Sequence, residues 1–390
     1  MRVYLPNLVI TTGQGAMVPV LVYAAKQVHA TAAEAVVVVA LNSLGTMVFD
    51  LPSGRLTARF GERRSAEMAA AMLMAGLGGC LLARSFLVLA AFVALQAGGW
   101  ALWSLVRLVH LSRVAPPAAR GRALSLFGGV IRAGNVIGPF VFVLVATRSD
   151  ARVGFAIYLV SVVVGVAWLL AARDRSDHAS EKGRAQRVRP VQILVEHRRS
   201  FATAGLGAFA ISLLRGSRTA IVPLWAAHIG LDASSAAAIY AFSSVVDLAL
   251  FYPAGVMSDR YGRRAVVLPC IVLLSVGHLL VPLSHEFLTL FLAAFVLGVG
   301  NGFGSGIVMT LGADLTPAVG RASFLAVWRL VSDGGTSAGP LVDSAIVALG
   351  AIALVGPVVG VLGLAAAVVV ARWLEEPAPG RVQAAPTADP

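Results

Sequence analysis

Apolar stretches about 20 residues long recur from one end of this chain to the other, and that recurrence constrains the fold more than any other feature. Each is long enough to cross a hydrocarbon core about 30 Å thick as an α-helix. We read twelve of them, at residues 4–25, 34–54, 65–83, 86–106, 123–146, 153–172, 201–226, 235–257, 265–283, 287–311, 323–347 and 351–373. Charged residues make up 13% of the 390, against roughly a quarter in an average soluble domain. Too few polar groups remain to cover a globular surface. A water-soluble enzyme, a disordered chain and a disulfide scaffold are excluded, and the expected fold class is an all-α membrane protein.

The net charge of +12 would suggest nucleic acid, but its distribution has another cause. With the N-terminus in the cytoplasm, 23 of the 31 Lys and Arg fall in cytoplasmic segments, counting Arg372 at the cytoplasmic end of the last span. Lys26, Arg84, Arg148 and Arg152 fall outside, while Arg132, Arg215, Arg218 and Arg329 fall within spans. This is the positive-inside bias. It predicts a multi-pass protein of the cytoplasmic membrane, both termini cytoplasmic, touching membrane lipids and no nucleic acid. Cys80 and Cys270 lie in apolar spans and are expected as buried free thiols. Ala30-Thr31-Ala32 matches a cleavage-site pattern, but the apolar segment before it is too long for a signal peptide and its basic region is Arg2 alone. An uncleaved first helix is expected.

The chain repeats itself. A shift of 201 residues carries Pro52, Gly54, Arg59, Gly61 and Arg63 onto Pro253, Gly255, Arg260, Gly262 and Arg264. Without a gap it also carries Phe86 to Phe287, Pro116 to Pro317 and Arg120 to Arg321, and Gly134, Gly138 and Pro139 to Gly335, Gly339 and Pro340. Pro19 matches Pro223 at a shift of 204, which places a three-residue gap between the halves there. Six spans lie on each side of the join, so the two halves have the same orientation and enclose a central site. The expected division is a six-helix bundle over 1–172, a charged cytoplasmic linker over 173–200, a second bundle over 201–374 and a disordered tail over 375–390.

The segments DLPSGRLTARFGERR (50–64) and YPAGVMSDRYGRR (252–264) resemble the loop signature of the major facilitator superfamily, G-x-L-a-D-R-x-G-R-R. The second copy holds Gly255, Asp259, Arg260, Gly262, Arg263 and Arg264; the first keeps Gly54, Arg59, Gly61, Arg63 and Arg64 but has Ala58 in place of Asp. LGADLTPAVGRASFLAVWRL (311–330) also looks like that family's join between helices 10 and 11. The resemblance implies twelve helices in two six-helix bundles related by pseudo-two-fold symmetry, and alternating access. In the family these loops act as gates, so Asp259 is expected to face a helix terminus. Ala58→Asp is expected to restore a cytoplasmic latch.

GNVIGPF (134–140) and GTSAGPL (335–341) resemble a G-x-x-x-G-P motif of the family's drug:proton antiporter branch. Small residues four apart also let helices pack closely, and this second explanation covers both copies. Gly335-Thr336-Ser337-Ala338-Gly339 matches the G-x-S-x-G elbow of serine hydrolases, but it lies in a helical span and the repeat partner of Ser337 is Val136. No HExxH, CxxC or Walker A pattern is present, so neither enzyme chemistry nor a metal is expected.

Charges at membrane depth are the sharpest candidates, since each costs about 2.5–3.5 kcal/mol to insert near a helix centre. Arg132, Arg215, Arg218, Asp247 and Asp333 lie near mid-depth, whereas Asp50, Arg107 and His110 lie nearer the cytoplasmic ends. His278 is expected as a satisfied structural histidine. The resemblance places Arg215 and Arg218 beside the cavity, and Arg132 opposite Asp247 where helices 5 and 8 meet. Gln14, Trp100 and Asn301 would line the pathway on helices 1, 4 and 10. The expected function is a monomeric secondary transporter of a small-molecule substrate. It works by proton-coupled efflux without a bound cofactor, Asp247 being the first coupling acid and Asp333 the second. The alternatives are a uniporter or importer of an anionic metabolite held by Arg215 and Arg218, and a non-transporting sensor on the same scaffold.

Overall fold

The computed structural model describes residues 4–114, 120–146, 150–171, 193, 195–304, 306–317 and 321–374, which form helices and no strand. Helix α1 (Tyr4–Gln27) passes through a tight turn at Val18–Val20, where Pro19 lacks an amide donor. Thr31 caps the next run reciprocally with Glu34, and that run, Ala32–Leu82, is broken at Gly61 into α2 (32–60) and α3 (62–82). Then come α4 (Phe86–Val114), α5 (Arg120–Val145) and α6 (Arg152–Ala171). The second half runs through α7 (Leu206–His228), α8 (Ala233–Tyr261) and α9 (Arg264–Leu280). It continues with α10 in two pieces, Phe287–Phe303 and Ile307–Asp314, and ends with α11 (Arg321–Ala348) and α12 (Val355–Trp373).

These are the twelve expected helices in two bundles of six. The expected linker, 173–200, lies outside the described residues except at 193 and 195–200, and the tail 375–390 lies outside them entirely. Nine of the described helices are long and apolar enough to cross a membrane on composition alone. Helices α6, α7 and α11 are not among them: the apolar part of α6 is short (Arg152–Trp168), and α7 and α11 carry ionisable residues. Leu82, Leu144 and Val368 are more than 65% exposed on the outside of the bundle, where lipid tails are their solvent.

The signature segments turn within the gaps left between the expected spans, but the preceding helices run past the expected span ends. Pro52 and Gly54 lie inside the helical run, as do Pro253 and Gly255, and a Cβ on either glycine would meet nothing within 4 Å. The turns are made instead by Gly61 and Gly262, at φ +79° and +89°, a region that L side chains rarely enter.

Within each half the same seam recurs. A Cβ on Gly138 would lie 2.2 Å from the Thr12 carbonyl oxygen and 2.4 Å from the Ala16 nitrogen; one on Gly339 would lie 2.3 Å from the Leu213 oxygen and 2.4 Å from the Ser217 nitrogen. These pairs are related by 201 residues, so the repeat extends unbroken to α1 and α7. The gap inferred from Pro19 and Pro223 is absent from this seam. Gly134 against Thr11 and Gly335 against Ser212 repeat the offset. Between the halves, α2 meets α11 and α5 meets α8. The face bearing Gly61 and Gly262 is called the basic face below. At the opposite face the halves are stitched by Tyr23 Oη donating to the Leu231 carbonyl (3.0 Å), Lys26 Nζ to Ala227 (3.2 Å) and Ser344 Oγ to Ala33 (3.0 Å).

Candidate functional site

Four of the expected pathway residues come together where the halves meet. Asn301 of α10 donates from Nδ2 to Asp247 Oδ2 of α8 at 2.5 Å. Its carbonyl, near the end of the first α10 piece, accepts from Arg215 Nη2 of α7 at 3.2 Å. Arg132 of α5, from the other half, lies over the Phe251 ring 4.4 Å from its centroid, within the fields of Asp247 and Arg215. The expected Arg132–Asp247 juxtaposition is therefore electrostatic, with Phe251 seating the guanidinium one turn away.

The break in α10 makes room for this arrangement. Gly306 adopts φ +83°, and a Cβ on Gly304 would lie 2.7 Å from Arg215 Nη2 and 2.3 Å from Cys270 Sγ. Cys270 and Cys80 are buried free thiols, as expected.

Four expected residues stand apart from that cluster. Arg218 is 5% exposed and turns into its own bundle, donating to Ser243 Oγ at 2.7 Å and lying over the Tyr240 ring. It is held by a hydroxyl and an aromatic face. Asp333 is engaged by Arg329, four residues earlier, at 3.3 Å. Gln14 and Trp100 are half-buried on α1 and α4, and among the described residues neither is hydrogen-bonded into the cluster.

The signature loops are tied differently in the two halves. Arg263 donates to Asp259 (2.9 Å), Ser258 (2.8 Å) and Asp314 at the end of α10 (2.8 Å). Asp259 thus faces Arg263, not a helix terminus. At the repeat position of Arg263 stands Glu62, which binds His110 Nδ1 of α4 at 2.9 Å. The tie to the fourth helix of each half persists, with an acid standing where the second half has an arginine. Arg59 and Arg260 lie over the neighbouring Phe60 and Tyr261 rings, Arg63 pairs with Glu67 while 71% exposed, and Arg264 opens α9. Ala58→Asp would place an acid against Glu62 instead of a base. The expected result is a loss of about 0.2–0.5 kcal/mol in thermal unfolding, with no new latch; a stabilised variant would restore the latch reading.

A buried polar triplet escaped the sequence reading. Ser217 Oγ donates to Asp343 Oδ1 at 2.9 Å and stands 3.2 Å from His278 Nε2, while His278 Nδ1 donates to the Leu274 carbonyl at 2.7 Å. His278 is satisfied, as expected. Asp343, fully buried, was passed over although it is an acid inside a span. The repeat positions are Ala16, Leu77 and Phe142, all buried and apolar, so the same seam forms without polarity in the first half.

A profile described as Major Facilitator Superfamily matches residues 4–246 and again 204–389. The chain belongs to the Major Facilitator Superfamily. Family members are multi-pass membrane transporters of small molecules, not enzymes, and this chain is such a transporter. It is 29% identical over 92 residues to the arabinose-proton symporter of Bacillus subtilis (strain 168), covering 24% of this chain and 20% of that one. It is 34% identical over 77 residues to the D-xylose transporter of Levilactobacillus brevis, covering 20% and 17%. The matched segments thus span about a fifth of those relatives. Among solved structures, a peptide transporter POT in complex with sulfate shares the fold with a TM-score of 0.76 at 14% identity, over 95% of this chain and 94% of that one.

Proposed function

We propose that this chain carries a small organic solute by alternating access, driven by the proton gradient, with Asp247 as the coupling acid. One observation carries the reading. Asp247 sits at the junction of the halves, hydrogen-bonded by Asn301 and within the field of Arg132 from the other half. Rocking the halves changes the distance between that carboxylate and that arginine, and so changes the carboxylate's hold on a proton. The proton-coupled relative, a symporter of arabinose, supports the driving ion. Export was the direction expected from the GxxxGP resemblance, but those glycines serve the intra-half seams in both copies and lend efflux no support.

Reconstituted protein tests the proposal. Solute added to proteoliposomes should move protons, and an imposed pH gradient should drive solute accumulation, beginning with the pentoses named for the two relatives. Flux indifferent to the gradient would favour uniport of an anionic metabolite. That second reading is supported by the surplus of Arg132 and Arg215 over Asp247 in the cluster. Both halves of the pathway lie in one chain, so a lipid-embedded monomer suffices for the cycle.

The same reading places the basic face in the cytoplasm of the cell that makes it. Cysteines introduced at Phe60 and Asp232, both exposed at opposite ends of the bundle, are expected to label from opposite sides of the membrane. Labelling of both by an impermeant reagent from outside intact cells would overturn the orientation.

A further inference from the structure

The two interfaces between the halves repeat one contact with different chemistry. On one side, Arg132 of α5 lies over the ring of Phe251 of α8. Moved by the 201-residue repeat, that pair becomes Asp333 of α11 and Asp50 of α2. The structure brings those two acids together across the halves. Arg329 Nη2 lies 3.1 Å from Asp50 Oδ2 and its Nε 3.3 Å from Asp333 Oδ2, so adjacent nitrogens of one guanidinium hold both oxygens. Sharing one guanidinium edge sets the two carboxyl groups side by side. Gly128 occupies the repeat position of Arg329, so this arginine is present at one interface and not the other.

Two carboxylates on one arginine leave an excess negative charge and two like charges in contact, and one proton placed between the acids removes both. Among the described residues, the charged groups acting on either acid are Arg329 and the facing carboxyl. Glu62, His110 and Arg107 form a separate set within the first half. The side chains of Asp50 and Asp333 are 21% and 35% exposed, so water can supply the proton.

We propose that Asp50 and Asp333 form a proton-binding site that joins the two halves, distinct from Asp247. Closed, the site holds one proton: the hydroxyl of one carboxyl donates to an oxygen of the other, the ionised acid faces Arg329, and the group is neutral. Parting α2 from α11 leaves Asp333 ionised on Arg329 within its own half and Asp50 alone in water, and one proton leaves. Acid therefore favours the closed interface. At the other interface the repeat-equivalent positions hold Arg132 and Phe251, and neither is an acid. Binding of one proton changes the closed-to-open ratio by at most about tenfold per pH unit.

The functional weight of this site rests on the transporter reading, but the site is measured without transport. Spin labels on cysteines at Val48 of α2 and Leu330 of α11, both exposed, report the separation of the helices in lipid nanodiscs. Lowering the pH from about 8 to about 5 should enlarge the short-distance population. Asp50→Asn and Asp333→Asn should each abolish that response, and Asp333→Glu, which keeps a carboxyl, should retain it. If one Asn variant does not fold, the other decides. A wild-type distance distribution independent of pH, or a response that survives both Asn variants, would overturn the proposal. Proton-driven flux with pH-independent distances would remove this site alone; a pH-dependent separation without proton-driven flux would leave the site and remove the function proposed above.

Discussion

Asp247→Asn is expected to abolish solute accumulation against a gradient while leaving a folded protein that still exchanges solute between equal concentrations. Asn keeps the shape of the side chain and an oxygen for the Asn301 Nδ2 donor, so the α8–α10 contact can persist. It cannot bind and release a proton. It also removes the negative charge in whose field Arg132 lies. Breaking a buried pair by removing one partner costs about 3–5 kcal/mol; the half-buried Asp247 should cost less, because water reaches the arginines. Thermal unfolding must therefore be measured beside flux. Uphill transport at the original rate would deny Asp247 any coupling role. A variant unable to fold would make the cluster a set of charges that hold α5, α7, α8 and α10 together.

The sequence disclosed most about features that repeat and least about those that do not. Span length and the 201-residue offset disclosed twelve helices and two halves because lipid imposes one length on every crossing. The offset misled at Pro19, where one matching proline suggested a gap. The seam shows that Gly15 and Gly216 are the true partners, facing Asn135 and Thr336. The turns fell inside the gaps between the expected spans, at Gly61 and Gly262, though Gly54 and Gly61 look alike on paper and only the second adopts positive φ. The charged residues other than Asp343 were legible as a set, and burial cost explains why. Their pairing was not: Arg218 turned inward to Ser243, and Asp333 met Asp50, which the sequence set nearer a cytoplasmic end, on a shared Arg329. Pairing across helices depends on rotation about each axis, and a list of positions does not contain that rotation.

Gly339→Val is expected to have a large effect on folding. A Cβ there meets the Leu213 carbonyl oxygen at 2.3 Å and the Ser217 nitrogen at 2.4 Å, both backbone atoms of α7 that no rotamer change can move. Inserting bulk into a packed seam costs about 1–3 kcal/mol where side chains can yield, and more where backbones must part. Parting α7 from α11 would also strain the hydrogen bond from Ser217 to Asp343, leaving a fully buried carboxyl without a donor. The repeat supplies a matched test, since Gly138→Val meets Thr12 and Ala16 in the same way but has no polar triplet beside it. Both variants should lose thermal stability, the Gly339 variant more. Gly334→Val, on the same helix with nothing within 4 Å of its Cβ, should melt near the parent. Equal melting of all three would show that the seam does not determine the spacing of these helices. A larger loss at Gly138 than at Gly339 would show that the buried triplet contributes less than the apolar packing that replaces it.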